Sequence, residues 1–247
     1  MNPPTSAVED TNWLEAEQLY LCRGSACEID RPIFQGDVFR GVPFPIMPST
    51  PPPPGRAEFD VVESLVMVVP HPCQCYQGDN LRKRLTVAPV TAVDSYGSFG
   101  RDRTGAKDKF ALLDLPVLSD GQEVRLSHVA DFGRLVTVPS SYLRPDRRIA
   151  CLSHMGLGLL AKRLLQYQLR APSTLANTMA YTYKQWNEAI AMQAWIRRYG
   201  SLKGFSDWTR SPRIFPGIAP GAPMTPGQIM AGALEVVLDA ITGTAAE

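Results

Sequence analysis

Residues 60–91 read DVVESLVMVVPHPCQCYQGDNLRKRLTVAPVT, and the fold turns on how this stretch divides. Positions 61–69 are apolar and largely β-branched, which predicts a strand buried on both faces. Positions 81–90 alternate, with Leu81, Leu85 and Val87 on one side and Arg82, Arg84 and Thr86 on the other. Between them lie His71, Cys73 and Cys75, flanked by Pro70 and Pro72. Two strands joined by a polar, cysteine-bearing tip predict the core of a β-fold, and the tip is where chemistry is most expected.

Working outward, IFQGDVFRGV (33–42) predicts a strand bent at Gly36-Asp37. Residues 1–12 form an arm, 13–21 a short helix, and Cys22 and Cys27 bracket a turn-forming RGSA. MPSTPPPPGRAE (47–58) is a loop stiffened by four consecutive prolines, and 92–108 is a polar loop. KFALLDL, EVRLSHVADFG and RLVTVP predict three further strands, the first followed by a Ser119-Asp120-Gly121 turn. From Asp146 the pattern turns helical through Ile149, Leu152, Leu159, Leu160, Leu164 and Leu165. After Pro172, Ser173 or Thr174 caps a second helix that reaches Tyr199, with Met179, Trp186 and Ile190 inward and Gly200 as its stop. Residues 201–224 show no period. Thr225-Pro226-Gly227-Gln228 opens a last helix carrying Ile229, Leu234, Val237, Leu238 and Ile241. The expected units are 1–32, an arm and short helix; 33–170, a barrel with its closing helix; and 171–247, a helical extension rich in Pro, Gly and aromatic residues.

The chain has 247 residues, 45% of them hydrophobic and 20% charged, enough to bury a sizeable core. A net charge of +1 leaves no global field to recruit nucleic acid or membrane. No apolar run approaches the ~20 residues of a membrane helix, so no membrane partner is expected. MNPPTSAVED lacks the layout of a signal peptide, and five cysteines is an odd number. These point to a reduced, cytoplasmic setting, or to an assembly formed there.

Read in order, QGDVF, LVMVVPHP, LTVAPVT and DFGRLVTVPSSYLRPDRRIACLS make residues 35–165 resemble the MazF/PemK family of growth-inhibitor toxins. The resemblance covers about half the chain. It implies an α+β fold, a small, strongly bent antiparallel β-barrel followed by helix. It also implies a ribonuclease site with an arginine at the start of the second strand and a threonine or serine after the third. Thr91 stands where the threonine belongs. ESLVMVV occupies the place of the expected Arg-Pro, so the cation would have to come from Arg82, Arg84 or Arg101. Phosphodiester cleavage needs a cation at the phosphate and a group to move the 2′-hydroxyl proton, and the missing arginine argues against activity.

Other residues bear chemistry of their own. Cys22, Cys27, Cys73 and Cys75, with His71, are enough ligands for one structural zinc that would pin the N-terminal helix to the hairpin tip; the alternative is buried, unliganded thiols and no cofactor. Cys73 with His71 or His128 as base is a nucleophile arrangement, set against a polar turn that merely shapes the loop. Arg82, Lys83, Arg84, Arg101, Arg103, Lys107 and Lys109, with Tyr96 and Phe99, resemble a surface for RNA, but Asp94, Asp102 and Asp108 offset their charge. Trp186, Trp195, Tyr199, Phe205, Trp208 and Phe215 exceed what capping one small barrel needs. The expectation is therefore a non-enzymatic interaction or structural module, held in a homo-oligomer or a larger assembly such as a bacteriophage particle. A sequence-selective endoribonuclease acting on single-stranded RNA is the alternative.

Overall fold

The computed structural model describes residues 13–46, 59–93, 111–118, 126–170, 173–215, 218 and 222–243. The chain enters through one helical turn, α1 (Ala16–Leu19), and passes at once into a strand, β1 (Tyr20–Arg23). The helix expected over 13–21 is cut short because a bulge at Tyr20/Cys22 lets 20–23 pair with a later strand. Strand β2 (Val38–Ile46) begins later than the sequence suggests, since Gly36 at φ 83° turns the chain before it. Any Cβ at Gly36 would lie 2.6 Å from Leu152 Cδ1, so the turn is packed as well as bent.

Strand β3 (Asp60–Val68) pairs antiparallel with β2 from Ile46↔Asp60 to Val38↔Met67. Only its second half meets the expectation of burial on both faces. Val66 and Val68 enter one core and Met67 another, whereas 60–63 are exposed. The tip is a helical turn, α2 (Pro72–Cys75), with Pro72 in its first turn and His71 Nδ1 accepting from the Cys73 N–H at 3.2 Å. The single strand expected at 81–90 is two. A minute hairpin, β4 (Tyr76–Gln77) with β5 (Asn80–Leu81), is followed by β6 (Arg84–Ala92). The break falls where the Arg82 N–H donates to the Cys75 carbonyl at 2.8 Å.

Three strands follow as expected: β7 (Leu112–Leu118), β8 (Leu126–Asp131) and β9 (Val136–Pro139). The helix expected from Asp146 begins later. Ile149 and Leu152 belong to a fully buried strand, β10 (Arg148–Leu152), and Ser153 then caps α3 (His154–Leu169) by accepting from the Gly156 N–H at 3.0 Å. Helix α4 (Leu175–Tyr199) has the expected Thr174 cap and Gly200 stop, but its buried row is Leu175, Thr178, Thr182, Gln185, Ala189 and Met192, with Trp186 beside it. Residues 201–224 are not featureless, because they hold α5 (Phe205–Arg210). The last helix is broken into α6 (Pro226–Ile229) and α7 (Leu234–Thr242). Its break follows from Met230, whose carbonyl accepts from buried Asn187 Nδ2 at 2.9 Å.

Apart from the β4–β5 hairpin, the strands form one antiparallel sheet in the order β1-β10-β2-β3-β6-β8-β7, with β9 also on β6. The lower half of β6 pairs with β9 and its end with β8, which bends the sheet into a nearly closed barrel. The fold is thus α+β, a small bent antiparallel barrel followed by helices. The seam between its terminal strands is bridged by Arg23 Nη1, which donates to the Val117 carbonyl at 3.0 Å. One core fills the barrel under α1, α3 and α4, and a second lies between β2, β3, β6 and β9. A third joins Phe34 to the C-terminal helices. Among the described residues no helix is long and apolar enough to cross a membrane.

Candidate functional site: three cysteines beside a buried ion triad

The site begins with the turn that Gly36 makes. Asp37 follows it with a fully buried carboxylate, whose Oδ2 accepts from the Phe34 N–H at 3.0 Å. Opposite β2, the first residue of β10 brings in Arg148, whose Nε lies 3.2 Å from Asp37 Oδ2. The other nitrogens of Arg148 donate to the carbonyls of Glu28 (3.0 Å), Arg31 (2.8 Å) and Pro32 (3.2 Å). One guanidinium therefore stitches 28–32 onto the barrel, and so fixes the segment that leaves Cys27. Arg31 is itself buried, with its Nε 3.9 Å from Asp37 Oδ1 and its guanidinium over the Trp186 ring. Burial pushes the Asp37 carboxyl up to about 8 even though Arg148 and Arg31 pull it down. Burial works against the Arg148 charge, but Asp37 and Cys151 outweigh it and hold its pKa above the usual value.

Beside this triad, β1 sets Cys22 directly opposite Cys151 on β10. The 3-10 turn Gly24–Ala26, with Gly24 at φ 57°, returns the chain so that Cys27 rejoins them. The Cys22 and Cys27 sulfurs are 3.3 Å apart, and all three Sγ atoms lie within 4.8 Å of one another. Hydrogen bonds from Cys151 and Cys27, with help from the Arg31 charge, draw the Cys22 thiol down to about 3. Cys27 and Cys151 are raised, because sharing one charge among three sulfurs leaves the other two protonated. Cys22 also lines an open groove of about 720 Å³ at the barrel seam, between Ala16, Tyr20, Arg23 and Val117.

The expected zinc set is not brought together as a set. Cys22 and Cys27 meet Cys151, whereas Cys73 and His71 meet each other, Sγ to Nδ1 at 3.0 Å, and the buried Cys75 thiol points to the Pro70 carbonyl at 3.6 Å. Cys151 was hidden from the sequence because its strand read as helix. The Cys73–His71 pair expected of a nucleophile is in contact, but His71 Nδ1 already accepts the Cys73 N–H as a helix cap. Burial holds the His71 pKa below its usual value. His128 lies elsewhere, buried on β8 opposite Ala92.

Thr91 and Arg84 sit at opposite ends of β6, opposite Val129 and Pro139 respectively. Seven residues of strand are about 23 Å, so the two do not converge on one phosphate. Thr91 Oγ1 is shielded from solvent and has no hydrogen-bond partner, while Arg82, Lys83 and Arg84 are exposed. Arg101, Arg103, Lys107, Lys109, Tyr96 and Phe99 lie outside the described residues, as do the poly-Pro loop and the Ser119-Asp120-Gly121 turn. The aromatic residues of the extension largely face one another: Trp195 is 5.7 Å from Phe205 and 5.2 Å from Trp208 between ring centroids. No protein-family model matches the chain, and no curated protein matches it.

Proposed function

We propose that the protein is a non-enzymatic interaction module, and that its docking element is the ribbon made by Val42–Ile46 of β2 and the outer half of β3. The observation that carries this is an edge. Residues 60–64 pair with β2 on one side, and among the described residues no strand pairs with the other side. Phe59, Val61 and Val62 are exposed there, at 52%, 64% and 38%. An unpaired strand edge with apolar side chains is a template for another strand. A two-fold, antiparallel arrangement lets such an edge complete itself, so the occupant is a second copy of this chain.

A bent antiparallel barrel followed by a helix is what a MazF/PemK-like kinship implies, yet the separation of Thr91 from Arg84 along β6 speaks against a ribonuclease. Sedimentation velocity of the reduced full chain tests the proposal. The wild type is expected to dimerise and Val61→Lys/Val62→Lys to be monomeric with an unchanged melting temperature, since both side chains are exposed. A monomeric wild type at micromolar concentration overturns the proposal. So does RNA cleavage that is lost in Thr91→Ala.

A further inference from the structure

The barrel seam, the groove along it and the three cysteines beside it belong to one corner of the molecule. We propose that Cys22, Cys27 and Cys151 hold one zinc ion as a three-thiolate site, with the fourth coordination position open toward the groove.

Three observations carry this. The first is the ligand set. A strand, a tight turn and a second strand deliver three sulfurs to one point, with one pair at 3.3 Å and none beyond 4.8 Å. Tetrahedral zinc with Zn–S of about 2.3 Å places sulfurs about 3.8 Å apart, inside that bracket. A disulfide would need one pair to close to about 2.05 Å and would leave the third thiol idle.

The second is charge. Two buried guanidiniums, Arg31 and Arg148, face one buried carboxyl, Asp37, which leaves buried positive charge in excess. Arg31 Nε and Nη1 are shielded from solvent without a hydrogen-bond acceptor. Three thiolates on a divalent cation carry net negative charge, which the buried guanidiniums complement.

The third is access. Cys22 lines the groove at the seam, so a fourth ligand, water or a side chain from outside, has a way in. Three protein ligands and one open position is the arrangement that lets zinc exchange its fourth partner. The ion would clamp β1 and the Gly24–Ala26 turn to β10, beside the seam that Arg23 and Val117 bridge.

The test uses the full chain, reduced with a phosphine, stripped with a chelator and titrated with Co²⁺, then with Zn²⁺. The expected result is one Co²⁺ per chain with sulfur-to-metal charge-transfer absorption, displaced by one Zn²⁺. Cys27→Ser, at a half-exposed turn position, should weaken Co²⁺ binding at least about tenfold while leaving metal-free melting unchanged. Cys73→Ser should bind as the wild type does. Absence of binding, binding unaffected by Cys27→Ser, or binding lost with Cys73→Ser overturns the proposal. Uptake of Cu(I) without Co²⁺ or Zn²⁺ overturns the divalent assignment. Recovery of a Cys22–Cys27 disulfide from a chain that binds no metal after reduction makes the cluster a redox pair instead.

Discussion

Gly156 stands in the first turn of α3 where the helix meets α1, and a Cβ there would lie 2.3 Å from the Leu19 carbonyl oxygen. Backbone cannot give way as a flexible side chain can, so Gly156→Ala is expected to destabilise by about 2–4 kcal/mol despite alanine's better helix propensity; thermal melting reads this directly. His154, two residues before it, is N1 of the same helix. Its Nε2 is 2.9 Å from the Met179 carbonyl and its ring lies edge-on to Tyr183. Burial lowers the His154 pKa, and the Met179 contact offsets this only in part. Between its folded value and the ordinary value of about 6.5, the unfolded chain binds more protons, so stability contributed by neutral His154 is lost as pH falls through that window. Asp37, raised to about 8, gives a slope of the opposite sign. The difference between wild type and His154→Gln isolates the histidine: the wild type should lose more stability than the variant between pH 7 and pH 5, and equal losses would refute this assignment.

At the scale of the element, signals written within a few residues of one another were legible. Thr225 Oγ1 accepts the Gln228 N–H at 3.2 Å and Gln228 Oε1 accepts the Thr225 N–H at 2.8 Å, the reciprocal cap that the sequence spells out. Thr225→Ala is expected to cost about 1 kcal/mol, or roughly 2–4 °C in melting temperature for a chain of this size. The same spacing rules mistook RIACL for helix, since a short run of apolar residues is a buried strand or a helical turn according to its neighbours. Those neighbours, β1 and β2, come from more than a hundred residues earlier, and β1 itself looked like the end of a helix. Cys151 therefore could not be placed against Cys22, and the cysteines that did look adjacent in sequence, Cys73 and Cys75, point apart. Helix α5 was illegible for a related reason. Its first N–H groups, from Gly204 and Ser206, are received by Asp79 at 2.7 Å each, a cap from the β4–β5 turn that no local motif announces.

For the whole molecule, the question is whether the helices after residue 170 are an appendage to the barrel or part of one folding unit. The sequence places a boundary at 170/171, and several packing contacts cross it. Leu175, Met179 and Trp186 lie against the barrel core, and Phe34, from the segment before β2, is fully buried among the C-terminal helices. Arg197 reaches back to Asp30 at 2.7 Å and to Glu28, and Asp79 holds α5. A chain ending at residue 170 would expose Phe34 and strip α3 of its partner helix. It is expected to lack a cooperative transition, whereas the full chain should melt once, with calorimetric and van't Hoff enthalpies equal. Phe205→Ala, which opens the third core, should lower that single transition by about 3–5 kcal/mol rather than split it, because the C-terminal core has no boundary of its own at which to unfold. Two transitions in the variant, or cooperative melting of the 1–170 chain near the wild-type midpoint, would show instead that the barrel folds alone and that the C-terminal helices only dock upon it.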